Sequence, residues 1–245
     1  MWIFLHKLAS PRYFYDLSGR WLPWLGGATA VCMLAGLYWG LAVAPPDYQQ
    51  GESYRIIFIH VPAAWMSLFV YMVMATSAAI GLIWKIKLAE IIAANCAPLG
   101  ASFTFLALVT GMLWGKPMWG AYWVWDARLT SELILLFLYL GVISLRTAIE
   151  DPRTAARASG ILALVGVVNI PIIHYSVVWW NTLHQGATVS RFDSPAIDLS
   201  MLWPLLIMVA AFMLYFAAVL LLRARCEVLA RERQSAWVRA LAVPS

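Results

Sequence analysis

Long apolar runs alternate along the chain with short polar breaks. Six runs, at about 22–42, 58–84, 92–113, 129–146, 158–178 and 201–222, are long and apolar enough to cross a bilayer core as helices. No internal repeat or low-complexity linker divides them, so the pattern predicts one all-α integral membrane domain over residues 1–245, with six transmembrane helices. The run 58–84 exceeds a minimal span and is expected to tilt or to begin outside the core. Ala42-Val43-Ala44 resembles a signal-peptide cleavage tripeptide. The run before it is longer than a signal core and Pro45 follows, so a retained helix is expected.

Charge orients this set of helices. Six spans put both termini on one side. Of the 17 Lys and Arg, only Arg55, Lys116, Arg128 and Arg191 fall on the other side. The excess of cations marks the cytoplasmic face, so both termini are predicted to be cytoplasmic. The predicted outer loops are then about 43–57, 114–128 and 179–200. Composition agrees with a membrane protein: 63% of residues are apolar and 12% charged, against about half and a quarter in soluble domains. The net charge of +5 is explained by topology and contact with membrane lipid, and no nucleic-acid partner is indicated. Cys32, Cys96 and Cys226 have no motif spacing, and there is no C-x-x-C-H or Walker A pattern, so neither attached c-type haem nor ATP hydrolysis is expected of this chain. No Asp, Glu, Lys or Arg is expected deep within a span, which counts against an ion-coupled transporter. Asn169 is the main polar candidate at mid-depth and is expected to bond between helices.

The second outer loop is chemically unusual. Trp114, Trp119, Trp123 and Trp125 crowd into it with Tyr122, Lys116 and Asp126. Gly115, Pro117 and Gly120 make it a poor helix interior, so a bent segment along the interface is expected. An ordinary aromatic belt is the plain explanation, but belts scatter their aromatics among many helix ends. An apolar platform for a flat ligand explains the density better. His60, His174 and His184 all fall in the outer half, whereas His6 belongs to the terminal side. Two histidines flanking such a platform suit a bis-imidazole haem. Arg55 and Arg128, at helix ends facing the same region, suit the propionates. Each feature has a structural alternative: histidines at headgroup level, arginines as helix-end anchors, and Asp126 and Glu132 serving the start of the fourth helix.

Trp114-Gly115, Trp119-Gly120 and Trp123-Val124-Trp125-Asp126, continuing as Ala127-Arg128-Leu129-Thr130-Ser131-Glu132, resemble the WWD signature of haem-handling membrane proteins. His60-Val61-Pro62-Ala63-Ala64 and Trp179-Trp180-Asn181-Thr182-Leu183-His184-Gln185-Gly186 are similar to its cytochrome c maturation branch, the haem exporter protein C family, over essentially the full chain. The resemblance implies haem b (iron protoporphyrin IX) bound at the periplasmic face of a bacterial inner membrane, with His60 and His184 as axial ligands. It implies that the WWD segment holds the porphyrin and helps dock the haem chaperone CcmE, to which the haem is then covalently attached. It also implies association with CcmD and with the ABC-type pair CcmA and CcmB, whose ATP use releases the loaded chaperone. His174 receives no ligand role from the resemblance but competes with His184 by position. Two other classes stand beside this one: a bis-His membrane cytochrome exchanging electrons with quinone, which would use the same ligands, and a permease for haem or another small molecule, which the lack of deep ionisable groups weakens.

Overall fold

The computed structural model describes residues 10–184, 186 and 197–242. Its helices are α1 (Pro11–Tyr38), α2 (Ile57–Trp84), α3 (Lys87–Trp119), α4 (Ala127–Ala148), α5 (Pro152–Val165), α6 (Asn169–Trp179), α7 (Leu199–Arg231) and a short α8 (Ala236–Ala242). Six helical stretches are long and apolar enough to span a membrane, at Pro11–Val43, Glu52–Trp84, Lys87–Trp119, Ala127–Ala148, Pro152–Trp179 and Leu199–Arg231. Helix starts follow local chemistry. Asp126, Asp151 and Asp198 accept from the N–H groups of Leu129, Thr154 and Ser200, which otherwise lack intrahelical partners. Pro11 and Pro152 occupy first-turn positions that need no N–H.

The spans differ from their predicted ends for identifiable reasons. α3 continues from 113 to Trp119, so the first part of the tryptophan segment is helical and only the remainder is a loop. Pro117 forfeits one intrahelical bond there, and the last turn closes through Gly120 N–H donating to Lys116 O at 3.0 Å. Gly120 adopts φ 77°, the left-handed ending that a glycine allows without penalty. The first span runs on through a π-turn, Trp39–Val43. The fifth is interrupted by a 3₁₀ turn at Gly166–Val168. At that break a Cβ on Gly166 would lie 2.0 Å from the Tyr71 hydroxyl, so the glycine admits a buried tyrosine.

Packing between helices rests on small residues, as expected where lipid removes the hydrophobic drive for helix association. α2 and α3 form the central pair, flanked by α4, α5 and α7. Tyr71 and Tyr139 are fully buried and meet edge to face at 5.0 Å. Tyr139 fits against α3 because position 100 is glycine; a Cβ there would lie 2.0 Å from its Cζ. α1 packs along α7, where Gly36 receives Met208. Its base is held by the Arg225 guanidinium, which sits 3.8 Å from the Tyr15 ring centroid and donates to Tyr15 O.

Two buried polar side chains tie these helices together. Asn169 Nδ2 donates to Ser131 O at 2.9 Å, an interhelical bond as anticipated. Glu132, expected to serve the helix dipole, is instead only 6% exposed and lies 2.7 Å from the Ser67 hydroxyl of α2. The reason is registry: Ser131 and Leu135 are buried on the same inner side of α4, and Glu132 falls within that face.

Candidate functional site

One end of the bundle gathers the start of α2, the end of α3, the start of α4 and the segment after α6. His60 belongs to the first turn of α2 and is buried at 8% exposure. Its ring is enclosed on three sides. Trp114 meets it edge-on at 5.6 Å between ring centroids. Gly111 leaves room beside it, since a Cβ there would lie 3.1 Å from His60 Cε1. Thr110 Oγ1 lies 3.0 Å from His60 Nδ1.

The direction of that last bond follows from the proton count. A threonine hydroxyl has one proton, and the Thr110 hydroxyl donates it to Leu106 O at 2.7 Å, one turn back on α3. His60 Nδ1–H therefore donates to Thr110 Oγ1, and the imidazole carries its free lone pair on Nε2. That tautomer is the one a metal ligand needs when its other nitrogen is held by an orienting partner.

The second histidine lies opposite. His184 is half-buried, and its ring centroid is 6.2 Å from that of His60 and 6.4 Å from that of Trp119. Two metal–imidazole bonds of about 2 Å each, together with the radii of the two rings, come to about 6 Å, the separation of two imidazoles on opposite faces of one metal ion. His174 does not join the pair. It is exposed and packs against Tyr175 at 4.8 Å.

The four tryptophans divide into two pairs. Trp114 is held by an edge contact with Tyr54 at 5.7 Å and by its Nε1 donating to Gln50 Oε1 at 2.8 Å. Trp119 folds back over Gly115. Both tryptophans lie against a histidine. Trp123 and Trp125 contact each other at 5.2 Å in the loop beyond Gly120, and Trp125 is 75% exposed. The Trp123 indole Nε1 is buried with no hydrogen-bond partner among the described residues, leaving a donor available to a ligand. Lys116 is exposed, donates to Gly120 O at 2.9 Å and lies over the Tyr122 ring, so it braces the turn.

The two oxygens of Asp126 differ in their surroundings. Oδ1 caps α4 at 2.8 Å from Leu129 N, while Oδ2 is buried without a partner among the described residues. Arg128 turns inward, its Nη1 donating to Ile173 O of α6 at 2.7 Å. Arg55 ion-pairs with Glu52 and donates to Gly40 O at 2.9 Å, which ties the 3₁₀ turn Glu52–Ile56 to the π-turn after α1. Arg191, His6 and Lys7 lie outside the described residues.

Sequence reasoning missed Thr110, Gly111 and Gln50. One usable signal was present: Thr110 and Trp114 are four apart on a helix and so share a face. Reading it required the helix to extend past residue 113.

The family profile described as CcmC, Heme exporter protein C, matches residues 4–239. The chain is 54% identical over 241 residues to Heme exporter protein C of Escherichia coli strain K12, covering 98% of this chain and 97% of that protein. It is 53% identical over 231 residues to the Bradyrhizobium diazoefficiens protein of that name, covering 94% and 88%. Identity to the Haemophilus influenzae protein is 49% over 242 residues, covering 99% and 98%.

Proposed function

The chain belongs to the haem exporter protein C family, and from that premise we propose that it binds haem b between His60 and His184 and passes it to the periplasmic chaperone CcmE. The observation that carries this reading is the pairing of the two histidines, 6.2 Å between ring centroids. The His60 tautomer imposed by Thr110 supports it. Haem supplies an iron that takes one nitrogen from each face of the ring. His60 and His184 are the proposed axial ligands.

The remaining residues hold the cargo and exclude water. Trp114 and Trp119 flank the ligand pair and offer apolar area to the porphyrin. Trp123 presents its unpartnered indole N–H. Arg128 has one N–H on Ile173 O and keeps its other donors for a propionate. Arg55 is the second propionate cation, because its pairing with the exposed Glu52 exchanges readily. Asp126 fixes the start of α4 and, with it, Arg128. Trp125 is the proposed contact for CcmE. The membrane is the bacterial inner membrane with this face toward the periplasm, following the distribution of Lys and Arg. CcmD and the pair CcmA and CcmB complete the proposed assembly, with ATP use supplied by the pair.

Absorption spectroscopy of the purified protein titrated with haemin tests the ligand assignment. Wild type is expected to give a six-coordinate bis-imidazole spectrum, and His60→Ala or His184→Ala to lose it. An unchanged spectrum in the double variant rules the assignment out. Transfer of the bound haem to added CcmE separates delivery from a quinone-linked cytochrome, which would instead be reduced by quinol without losing its haem.

A further inference from the structure

The opposite end of the bundle holds a second concave feature, remote from the histidines. The end of α2, the beginnings of α3 and α5, and the end of α7 surround a cavity of about 940 Å³, at the upper end of the roughly 300–1,000 Å³ typical of small-ligand sites. Lys85, Lys87, Arg153 and Arg157 line it, all exposed and none in an ion pair among the described residues. Its wall also includes Leu82 and Ile161, and Ile161 is 48% exposed on the outer surface of α5. Cations at the mouth therefore adjoin an apolar surface that continues toward the hydrocarbon region.

The carboxylates in the wall are already engaged. Glu90 lies 3.9 Å from Arg231, and Glu232 accepts from Trp237 Nε1 at 3.4 Å. The nearby Asp151 is occupied in capping Thr154 through both its N–H and its hydroxyl. Among the described residues none of the four cations lies within ion-pairing distance of a carboxylate, although Glu90 and Glu232 share the wall and Asp151 acts on Arg153 at longer range. Lys85 is also the one non-glycine at positive φ among the described residues, 54°, so the tight α2–α3 turn holds its backbone at the mouth in a conformation that lysine disfavours.

We propose that this cavity is a binding site for an anionic phospholipid, its headgroup phosphate held by Lys85, Lys87, Arg153 and Arg157 and its acyl chains lying along Leu82 and Ile161. A basic pocket between transmembrane helices at headgroup depth is the arrangement that recognises such lipids. The apolar wall distinguishes the occupant from a free anion, which has no use for it. The site is independent of haem and of the direction in which the chain is inserted.

Native mass spectrometry of the full chain, equilibrated in detergent with equimolar phosphatidylglycerol and phosphatidylcholine, provides the test. Wild type is expected to retain phosphatidylglycerol preferentially. The pairs Lys85→Gln/Lys87→Gln and Arg153→Gln/Arg157→Gln each remove two cations and should each lower that preference roughly thirtyfold, given about 1 kcal/mol per cation near an anionic surface. Arg223→Gln/Arg233→Gln, on cations outside the cavity, should leave it unchanged. Equal retention of both lipids by wild type overturns the proposal, as does the full wild-type preference in both cavity pairs. Loss of the lipid to an equal concentration of inorganic phosphate overturns the lipid assignment in favour of a simple anion site. Circular dichroism establishes that each pair is folded. If neither pair is, the wild-type lipid ratio and the phosphate competition decide.

Discussion

His60 and Thr110 are joined across α2 and α3 by a bond whose direction is set outside the pair. The separation is 3.0 Å from Nδ1 to Oγ1, and the hydroxyl proton is directed at Leu106 O. The α3 backbone thereby determines which nitrogen of the imidazole faces the ligand site.

Thr110→Val keeps the shape and removes the acceptor. Loss of an orienting partner of this kind typically costs 10–100-fold in metal affinity, and a haem titration is expected to weaken within that range. Thr110→Ser should restore binding. Equal affinity in Thr110→Val would mean that His60 is oriented by its packing alone.

The two pairs of tryptophans should separate by assay. Trp119→Ala, which removes a ring beside His184, is expected to shift the haem spectrum and weaken loading. Trp125→Ala should leave the spectrum intact and lower the affinity for CcmE by about 2 kcal/mol or more, the loss typical of a buried aromatic anchor at an interface. A titration of loaded protein with CcmE measures the second effect. A spectral change in Trp125→Ala without a change in CcmE affinity would reverse the roles.

Much of this was legible from residue order. Apolar run lengths located six spans, and the tryptophan segment with its flanking histidine motifs identified the family. The ends of α3 were not legible, because Gly115 and Pro117 read as helix breakers and only the capping by Gly120 explains how the helix survives them. Thr110 was not legible because a threonine four residues before a tryptophan has no distinctive chemistry until α2 brings His60 against it. The Glu132–Ser67 bond was not legible for the same reason: a carboxylate near a helix start fits the dipole, and only the buried face of α4 shows that it also meets Ser67.

Glycine 100 offers a test of the core. Gly100→Ala places a carbon 2.0 Å from Tyr139 Cζ, and overpacking of this kind costs about 1–3 kcal/mol. The thermal midpoint in detergent should fall. Gly27→Ala, with nothing within 4 Å of the added carbon, should leave it unchanged or raise it, since alanine is the better helix former. A matching fall in both would place the cost in the helix backbone rather than at Tyr139.

Asp198 gives the start of α7 a pH dependence. The Ser200 hydroxyl and N–H hold its carboxyl below the usual carboxylate range. A depressed folded value contributes stability above the unfolded pKa, and that contribution is lost as pH falls through the folded one. Hydrogen exchange in the first turn of α7 should therefore quicken in acid relative to mid-helix amides. Asp198→Ala should be fast at both pH values. Acid-independent exchange in wild type would remove the cap from this account.

The left-handed turn at Gly120 divides the tryptophan segment mechanically. Trp114 and Trp119 ride on the same rigid rod as Thr110, so their posture is inherited from the membrane bundle. Trp123 and Trp125 are strung between that turn and the Asp126 cap, and a pull on them is borne by a short tether between two anchors. Under the proposed roles, a visiting protein would grip one half of the segment without disturbing the half that stands beside the histidines, so that holding the cargo and meeting its recipient would be separately adjustable.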